Sequence, residues 1–170
     1  MHAGARQLAI CNRSAKMNIM TRSPKPTFTS RIAYKDLRGA VEWLEKAFGF
    51  KTTVLATDGD EKVVYSEMRF GDGLIHIGGE WDNIKAPNSI GGANTQTLSV
   101  QLDGGIEDHC ARARAAGGQI IQEPEDQFHG DRTYRVMDPQ GHVWVFWQPV
   151  RQVSAKEMEA AMPGMKVWEA

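Results

Sequence analysis

A glutamate and a histidine are the pair of side chains in this sequence best placed to do chemistry. Glu67 and His76 flank Gly71-Asp72, a dipeptide typical of a two-residue hairpin loop. If that dipeptide is the whole loop, Glu67 lies directly opposite His76 on the same face of a sheet. A carboxylate beside an imidazole suits general acid–base catalysis, and it equally suits a polar patch that binds a ligand. A loop one residue longer would place the pair on opposite faces.

The elements that must position this pair follow an order that occurs twice along the chain. In the first half, the predicted elements are a strand at 27–34, a helix from Lys35-Asp36 to Phe48, and strands at 51–57, 62–70 and 73–78. In the second half, they are a strand at 95–102, a helix at 106–116, and strands at 119–122, 132–137 and 142–147. This internal repeat predicts an α+β domain over 27–150, made of two βαβββ modules at 27–80 and 95–150 with a linker at 81–94.

The two ends of the chain are predicted to lie outside this domain. Residues 1–26 lack hydrophobic periodicity and end in Ser-Pro-Lys-Pro, which predicts a flexible arm, and Met17 or Met20 is an alternative start. Residues 151–170 form a C-terminal extension in which Ser154–Ala161 begins with a capping-box pattern, so a short helix is expected.

Several local phrases in both halves are shared with one known group of proteins. The first half contains Tyr34-Lys35-Asp36, Ala40-Val41-Glu42-Trp43-Leu44 and Ala47-Phe48-Gly49-Phe50. The second half contains Ala111-Arg112-Ala113-Arg114-Ala115-Ala116-Gly117-Gly118, Pro124-Glu125-Asp126-Gln127, Gly130-Asp131-Arg132 and Asp138-Pro139-Gln140-Gly141-His142-Val143-Trp144. Over roughly 27–150 the chain resembles the vicinal oxygen chelate superfamily (glyoxalase, bleomycin resistance protein, extradiol dioxygenase), in particular its PhnB-like glyoxalase-type members.

This resemblance implies a glyoxalase/bleomycin resistance fold, in which the modules form a curved mixed sheet backed by helices and enclose a cleft. It also implies that two subunits pair, so that each cleft is completed by the partner chain. Members include metal-dependent isomerases and lyases, dioxygenases, thiol transferases, and metal-free proteins that sequester antibiotics. The resemblance therefore indicates a fold without selecting one chemistry.

The resemblance places the metal-ligand positions of the superfamily at Thr29, His76, Thr97 and Val145. His76 is the only one of these with a side chain that transition metals favour, and valine cannot bind a metal. We therefore predict no cofactor, and a divalent metal held partly by His76 is the disfavoured alternative.

Strand alternation suggests further ligand contacts in the cleft. Thr97 is expected on the cleft face, as are Tyr134 and Trp147, which would offer a stacking surface or fill the hollow of the sheet. Trp144 is expected on the opposite, helix-facing side. Trp81 lies in the linker, where it would act as a lid or as a dimer contact.

Arg69 and Arg132 are the candidates for anion binding, because the guanidinium fork matches a carboxylate. Arg132 is expected, more specifically, to form an ion pair with Asp131. His109 is expected on the surface of its helix, and His142 is expected to be packed and hydrogen-bonded on the helix side of its strand.

Composition excludes several classes of partner. The formal net charge of -1, with scattered lysines and arginines, argues against nucleic acid. No apolar run approaches the roughly 20 residues that span a bilayer, so no membrane segment is expected. Cys11 lies in the predicted arm and Cys110 in a predicted helix, so no disulfide and a cytoplasmic location are expected. A homodimer is expected, since an open concave sheet would expose much apolar area.

These observations predict a metal-independent small-molecule-binding protein that sequesters an aromatic or drug-like ligand in a dimeric cleft. The alternative is a glyoxalase-like lyase, isomerase or dioxygenase that uses Glu67 and His76 as an acid–base pair or partial metal site. A third hypothesis is an accessory protein that binds another polypeptide through the C-terminal segment.

Overall fold

The computed structural model describes residues 25–168. The first module contains β1 (Ser30–Tyr34), α1 (Leu37–Phe48), β2 (Lys51–Thr57), β3 (Val63–Phe70) and β4 (Gly73–Gly79), and a 3₁₀ helix at Pro87–Ile90 lies in the linker. The second contains β5 (Leu98–Gln101), α2 (Ile106–Ala115), β6 (Gln119–Asp126), β7 (Asp131–Met137) and β8 (Val143–Pro149), followed by α3 (Ala155–Ala161). The predicted arm and alternative starts fall almost entirely outside the described residues.

Each module forms a four-stranded mixed sheet, with strand orders β1-β4-β3-β2 and β5-β8-β7-β6. The first strand of each module runs parallel to the last strand of the same module, and the other neighbours are antiparallel. The α+β fold with two βαβββ modules is therefore confirmed. Edge strand β6 is longer than predicted and continues through Pro124, which register shifts in its pairing accommodate.

Local signals in the sequence set the ends of the helices. The Asp36 carboxylate caps α1 by accepting a hydrogen bond from the Gly39 amide at 3.0 Å. Gly49 ends the helix with a φ of 84°, a left-handed conformation that glycine adopts without a steric penalty. The predicted C-terminal helix is also confirmed, with a reciprocal capping box between Ser154 and Glu157. Among the described residues, no helix has the length and hydropathy needed to span a bilayer.

One hydrophobic core joins the two modules, and the helices lie between the sheets. The Phe48 ring at the end of α1 lies 4.6 Å from Phe146 and 5.2 Å from Trp144, both on β8 of the other module. The Trp43 indole N–H donates to the Ala116 carbonyl across the same interface at 2.8 Å. The helix-facing sides of both sheets therefore share this core, and their other faces, here called the outer faces, point away from it.

A buried carboxylate fixes the turn between β7 and β8 against the first module. Asp138 is 4% exposed and accepts hydrogen bonds from the Tyr34 hydroxyl at 2.7 Å and the Trp144 indole at 3.2 Å. Its other oxygen accepts from the amides of Gln140 and His142. Burial, together with the Asp138 charge, raises the pKa of Tyr34, so this hydroxyl stays protonated as a donor. The Asp-Pro-Gln-Gly phrase thus has a structural role.

His109 forms a second lock between the modules. The prediction that it lies at the surface is wrong, because its side chain points from α2 into the core and it is 6% exposed. Nε2 donates to the Phe48 carbonyl at 3.1 Å, which assigns Nδ1 as the acceptor for the Tyr134 hydroxyl at 2.6 Å. Burial lowers the pKa of His109 to about 4, and the nearby Arg112 charge acts in the same direction.

Candidate functional site

The outer face of the first sheet carries a row of three ionisable side chains. Ile32 on β1 and Ile77 on β4 point into the core, so the alternating residues Arg31 and His76 point outward. His76 is the register partner of Arg31 on one side and of Glu67 on the other. We call Arg31, His76 and Glu67 the polar row.

Glu67 and His76 are adjacent, as the hairpin loop predicts, but the carboxylate is hydrogen-bonded to other groups. Glu67 is 5% exposed, and its Oε1 accepts from the Lys25 ammonium at 2.7 Å and from the Tyr65 hydroxyl at 3.1 Å. Within the described part of the chain, no hydrogen bond or ion pair joins Glu67 to His76. Glu67 is therefore held by its own strand and by the segment before β1.

The imidazole of His76 has an unused nitrogen. Its ring packs against the ring of Tyr65 with centroids 5.7 Å apart. Nε2 is buried and has no hydrogen-bond partner among residues 25–168. A buried polar atom without a partner is costly, so a ligand atom that hydrogen-bonds to it would relieve this cost.

Arg31 is a member of the row that sequence reasoning missed. Its guanidinium carbon lies 4.6 Å from the centroid of the Trp81 ring. Reciprocal backbone hydrogen bonds between Trp81 and Ile84, at 3.2 and 2.8 Å, fix the linker at this point. On its other side the guanidinium lies close to Gly78, where an added Cβ would be 2.9 Å from Nη2. Alternation along β1 was the available signal, because it places position 31 on the same face as position 29.

The corresponding row on the second sheet lacks an ionisable side chain at its centre. Val145 occupies the position that matches His76, with Ser99 and Arg135 as its register partners. Trp147 and Val143 lie on the same face and are half-buried. Trp147 is therefore on the outer face, where alternation placed it.

The family assignment follows from comparison with known proteins. The sequence model of the Glyoxalase/Bleomycin resistance protein/Dioxygenase superfamily matches residues 27–146. The chain belongs to this superfamily.

Individual proteins resemble the chain at low sequence identity. The uncharacterised protein Rv0887c of Mycobacterium tuberculosis is 27% identical over 143 residues, which cover 81% of this chain and 83% of that protein. The crystal structure of TioX from Micromonospora sp. ML1 has a TM-score of 0.59 at 25% identity, and the match covers 76% of this chain and 100% of TioX. TnmS3, an antibiotic-binding protein from Streptomyces sp. CB03234, has a TM-score of 0.56 at 18% identity, with coverage of 71% and 93%.

The four positions that the family resemblance assigns to metal ligands carry a poor set of donors. They are Thr29 and His76 on the first module and Thr97 and Val145 on the second. Among residues 25–168, no three His, Cys, Asp or Glu side chains come together in a group that would hold a metal ion. One imidazole, two hydroxyls and an isopropyl group are a poor donor set for a transition metal.

Two predicted cleft residues lie elsewhere. Tyr134 pairs with Phe146, and its side chain is fully buried on the helix side. Arg132 lies on that same side and binds Glu107 and Asp126 at 2.6 and 2.7 Å, so the prediction of a pair with Asp131 is also wrong. Five residues at 138–142 separate the strands, so Thr133 rather than Tyr134 is opposite Trp147.

Arg69 and Thr97 lie at accessible positions. Arg69 is on the outer face of the first sheet, and its Nη1 donates to the Asp72 carbonyl at 3.4 Å. Thr97 lies on a groove of about 830 Å³ between the start of β1 and β5. Phe50 and Phe70 of the first module and Trp144 of the second line this groove together with polar side chains such as Gln96 and Asp103.

Proposed function

We propose that this protein is a metal-independent small-molecule-binding protein, and that it sequesters an aromatic, drug-like ligand in a cleft between two copies of the chain. The observation that carries the proposal is the contrast between the two outer faces. The first presents Arg31, His76 and Tyr65, whereas the central strand β8 of the second presents Val143, Val145 and Trp147, with Ser99 and Arg135 beside it. A cleft with an apolar wall and a few polar anchors is typical of small-molecule sites.

The dimer in this proposal is supported by the direction of the faces. Because the helices lie between the sheets, the two outer faces of one chain point away from each other and enclose nothing. A second copy that places its apolar outer face over the polar row would form a closed cleft and cover exposed apolar surface. Light scattering at micromolar concentration tests this step, and a monomeric mass would refute it.

Cys110 does not contribute a nucleophile to the proposed site. Cys110 is buried in the core, and burial raises the pKa of its thiol. A protonated, buried thiol is a poor nucleophile. We further propose a cytoplasmic location, because a chain with only two cysteines does not depend on a disulfide framework.

Binding is tested by titrating bleomycin and a panel of aromatic, drug-like compounds, with quenching of tryptophan fluorescence as the readout. Trp147→Leu is expected to weaken binding about tenfold or more, because it removes the stacking surface of the apolar wall. Trp168→Leu is the matched control, since this tryptophan is 88% exposed near the C-terminus. Equal affinities in both variants would contradict the proposed cleft.

Metal independence is tested on the same protein. Dialysis against a chelator is expected to leave ligand affinity and the melting temperature unchanged. One equivalent of nickel, zinc or iron that persists in each subunit after dialysis would overturn this part of the proposal.

Acid–base catalysis by Glu67 and His76 is the second candidate function. The observation in its favour is the register that places the two residues side by side, together with the unused Nε2 of His76. The ion pair of Glu67 with Lys25 weighs against it, because a base must be available to take a proton. In this case His76→Ala would abolish turnover of a lyase or isomerase substrate while the melting temperature stays the same.

A further inference from the structure

The guanidinium of Arg31 is held in place while its hydrogen-bond donors remain unused. The guanidinium contacts the Trp81 ring, and among the described residues no carboxylate or carbonyl accepts a hydrogen bond from it. Arginine carries five N–H donors in one plane. A guanidinium that is ordered and yet unpaired is therefore able to receive an anion.

The contact with Trp81 leaves donors of Arg31 available. The guanidinium carbon lies over the indole ring of Trp81, 4.6 Å from its centroid, and Gly78 lies close to the group. One aromatic ring cannot occupy all five N–H donors, so the others can meet a planar acceptor edge to edge. Gly78 leaves room for the guanidinium at this place, since an added Cβ would come within 2.9 Å of Nη2 and 3.1 Å of Nε and the side chain would have to move.

The surroundings favour a negative rather than a positive group. Arg31, Arg69, Lys51 and the Lys25 ammonium are among the cations that the described residues place on this outer face, and the carboxylate of Glu67 is already paired with Lys25. The buried Nε2 of His76 lies in the neighbouring strand, at the register partner of Arg31. Its proton would provide a further donor to an anion that Arg31 holds.

We infer that Arg31, stacked on Trp81, is the anchor for a carboxylate or an equally planar oxyanion of the ligand, with His76 as a neighbouring contact. The inference deepens the proposed function, on which it rests, by naming the ligand as an organic anion. A bidentate hydrogen bond to the guanidinium would orient the anionic end on the polar row. The aromatic part of the ligand would then face the apolar wall.

Three probes of matched shape test the inference: benzoate, benzamide and benzylammonium, each titrated at about 1 mM. The readouts are the affinity and the NMR signals of the Arg31 Nε–H and the Trp81 indole N–H. Benzoate is expected to bind most tightly and to shift both signals. Arg31→Met is expected to weaken benzoate binding about tenfold or more, and to leave benzamide binding unchanged.

Three further variants separate the geometry from the charge. Arg31→Lys keeps the charge but loses the planar fork, so only part of the benzoate affinity should remain. Gly78→Ala should also weaken benzoate, because the new methyl group displaces the guanidinium. Arg38→Met is the control: it removes the same charge on α1, where the guanidinium binds the Glu61 carbonyl at 2.9 Å, and it should not alter affinity.

The outcomes distinguish this inference from the proposed function. Absence of benzoate binding, equal binding of benzoate and benzamide, or an unchanged affinity in Arg31→Met would each overturn the anionic anchor. Arg31 is exposed, so its substitutions are expected to fold, and the melting temperature checks this. If the affinity for an antibiotic falls in Trp147→Leu but not in Arg31→Met, the anionic anchor is refuted while the proposed function is still supported.

Discussion

Acidification should destabilise this protein through one histidine. In the folded chain the pKa of His109 is about 4, whereas an exposed histidine has a pKa near 6.5. The unfolded chain therefore binds a proton at a higher pH than the folded chain. Stability from this group is complete above about pH 6.5, and it is lost as the pH falls from there towards 4. A difference of about 2.5 pKa units corresponds to a loss of about 3 kcal/mol at pH 4.

The physical cause is the set of contacts around the imidazole. Protonation would place a charge in the core next to Arg112, and Nδ1 could no longer accept the hydrogen bond from Tyr134. His109→Gln keeps a neutral amide that can donate to the Phe48 carbonyl and accept from Tyr134. Its stability relative to the wild type should therefore change with pH, because the variant lacks the titrating group.

Urea unfolding at pH 7, 5.5 and 4 provides the measurement, and the difference between wild type and His109→Gln removes the contribution of all other groups. This difference should shift in favour of the variant by about 3 kcal/mol between pH 7 and 4. His129→Gln is the control, since its imidazole is 38% exposed and lies outside the core. A difference that stays constant with pH would refute the assignment of His109 as a buried neutral group.

Three further predictions concern the locks and turns of the fold. Asp138→Ala should lower the free energy of unfolding by about 3 kcal/mol or more, because the Tyr34 hydroxyl, the Trp144 indole and two amides lose a buried acceptor. Urea unfolding measures this loss, and Asp138→Asn should lower the free energy of unfolding by less. Gly141→Ala should lower the free energy of unfolding by about 2 kcal/mol, since the φ of Gly141 is 94° and an added Cβ would lie 2.5 Å from the Asn88 side-chain oxygen. A variant with the melting temperature of the wild type would contradict this expectation. Glu107→Gln should change stability by about 1 kcal/mol or less, because it removes only an exposed partner of Arg132, which Asp126 still binds.

The fold could be predicted from the sequence because its signals are local. Gly49 ends α1, Gly71-Asp72 sets the hairpin, and the order of elements repeats in both halves. The same hairpin signal gave the register of Glu67 and His76 correctly. Each of these features depends on a few neighbouring residues, so a single sequence contains them.

The predictions that failed depend on contacts between distant parts of the chain. The face of Tyr134 depends on the length of the connection between β7 and β8, which is five residues (138–142) and not the four (138–141) that the sequence predicts. His109 is polar on a short helix, and only the packing of α2 against α1 places it in the core. Arg31 was not predicted as a site residue, because the contact that distinguishes it comes from Trp81, 50 residues further on.

The placement of the helices between the sheets has a genetic consequence. If the proposed dimer forms, every cleft takes its polar row from one chain and its apolar wall from the other. A chain with Arg31→Met and a chain with Trp147→Leu would each bind poorly alone. Mixed dimers of the two would contain one cleft with both substitutions and one with neither. Coexpression of two defective copies should therefore restore binding, which neither copy provides by itself.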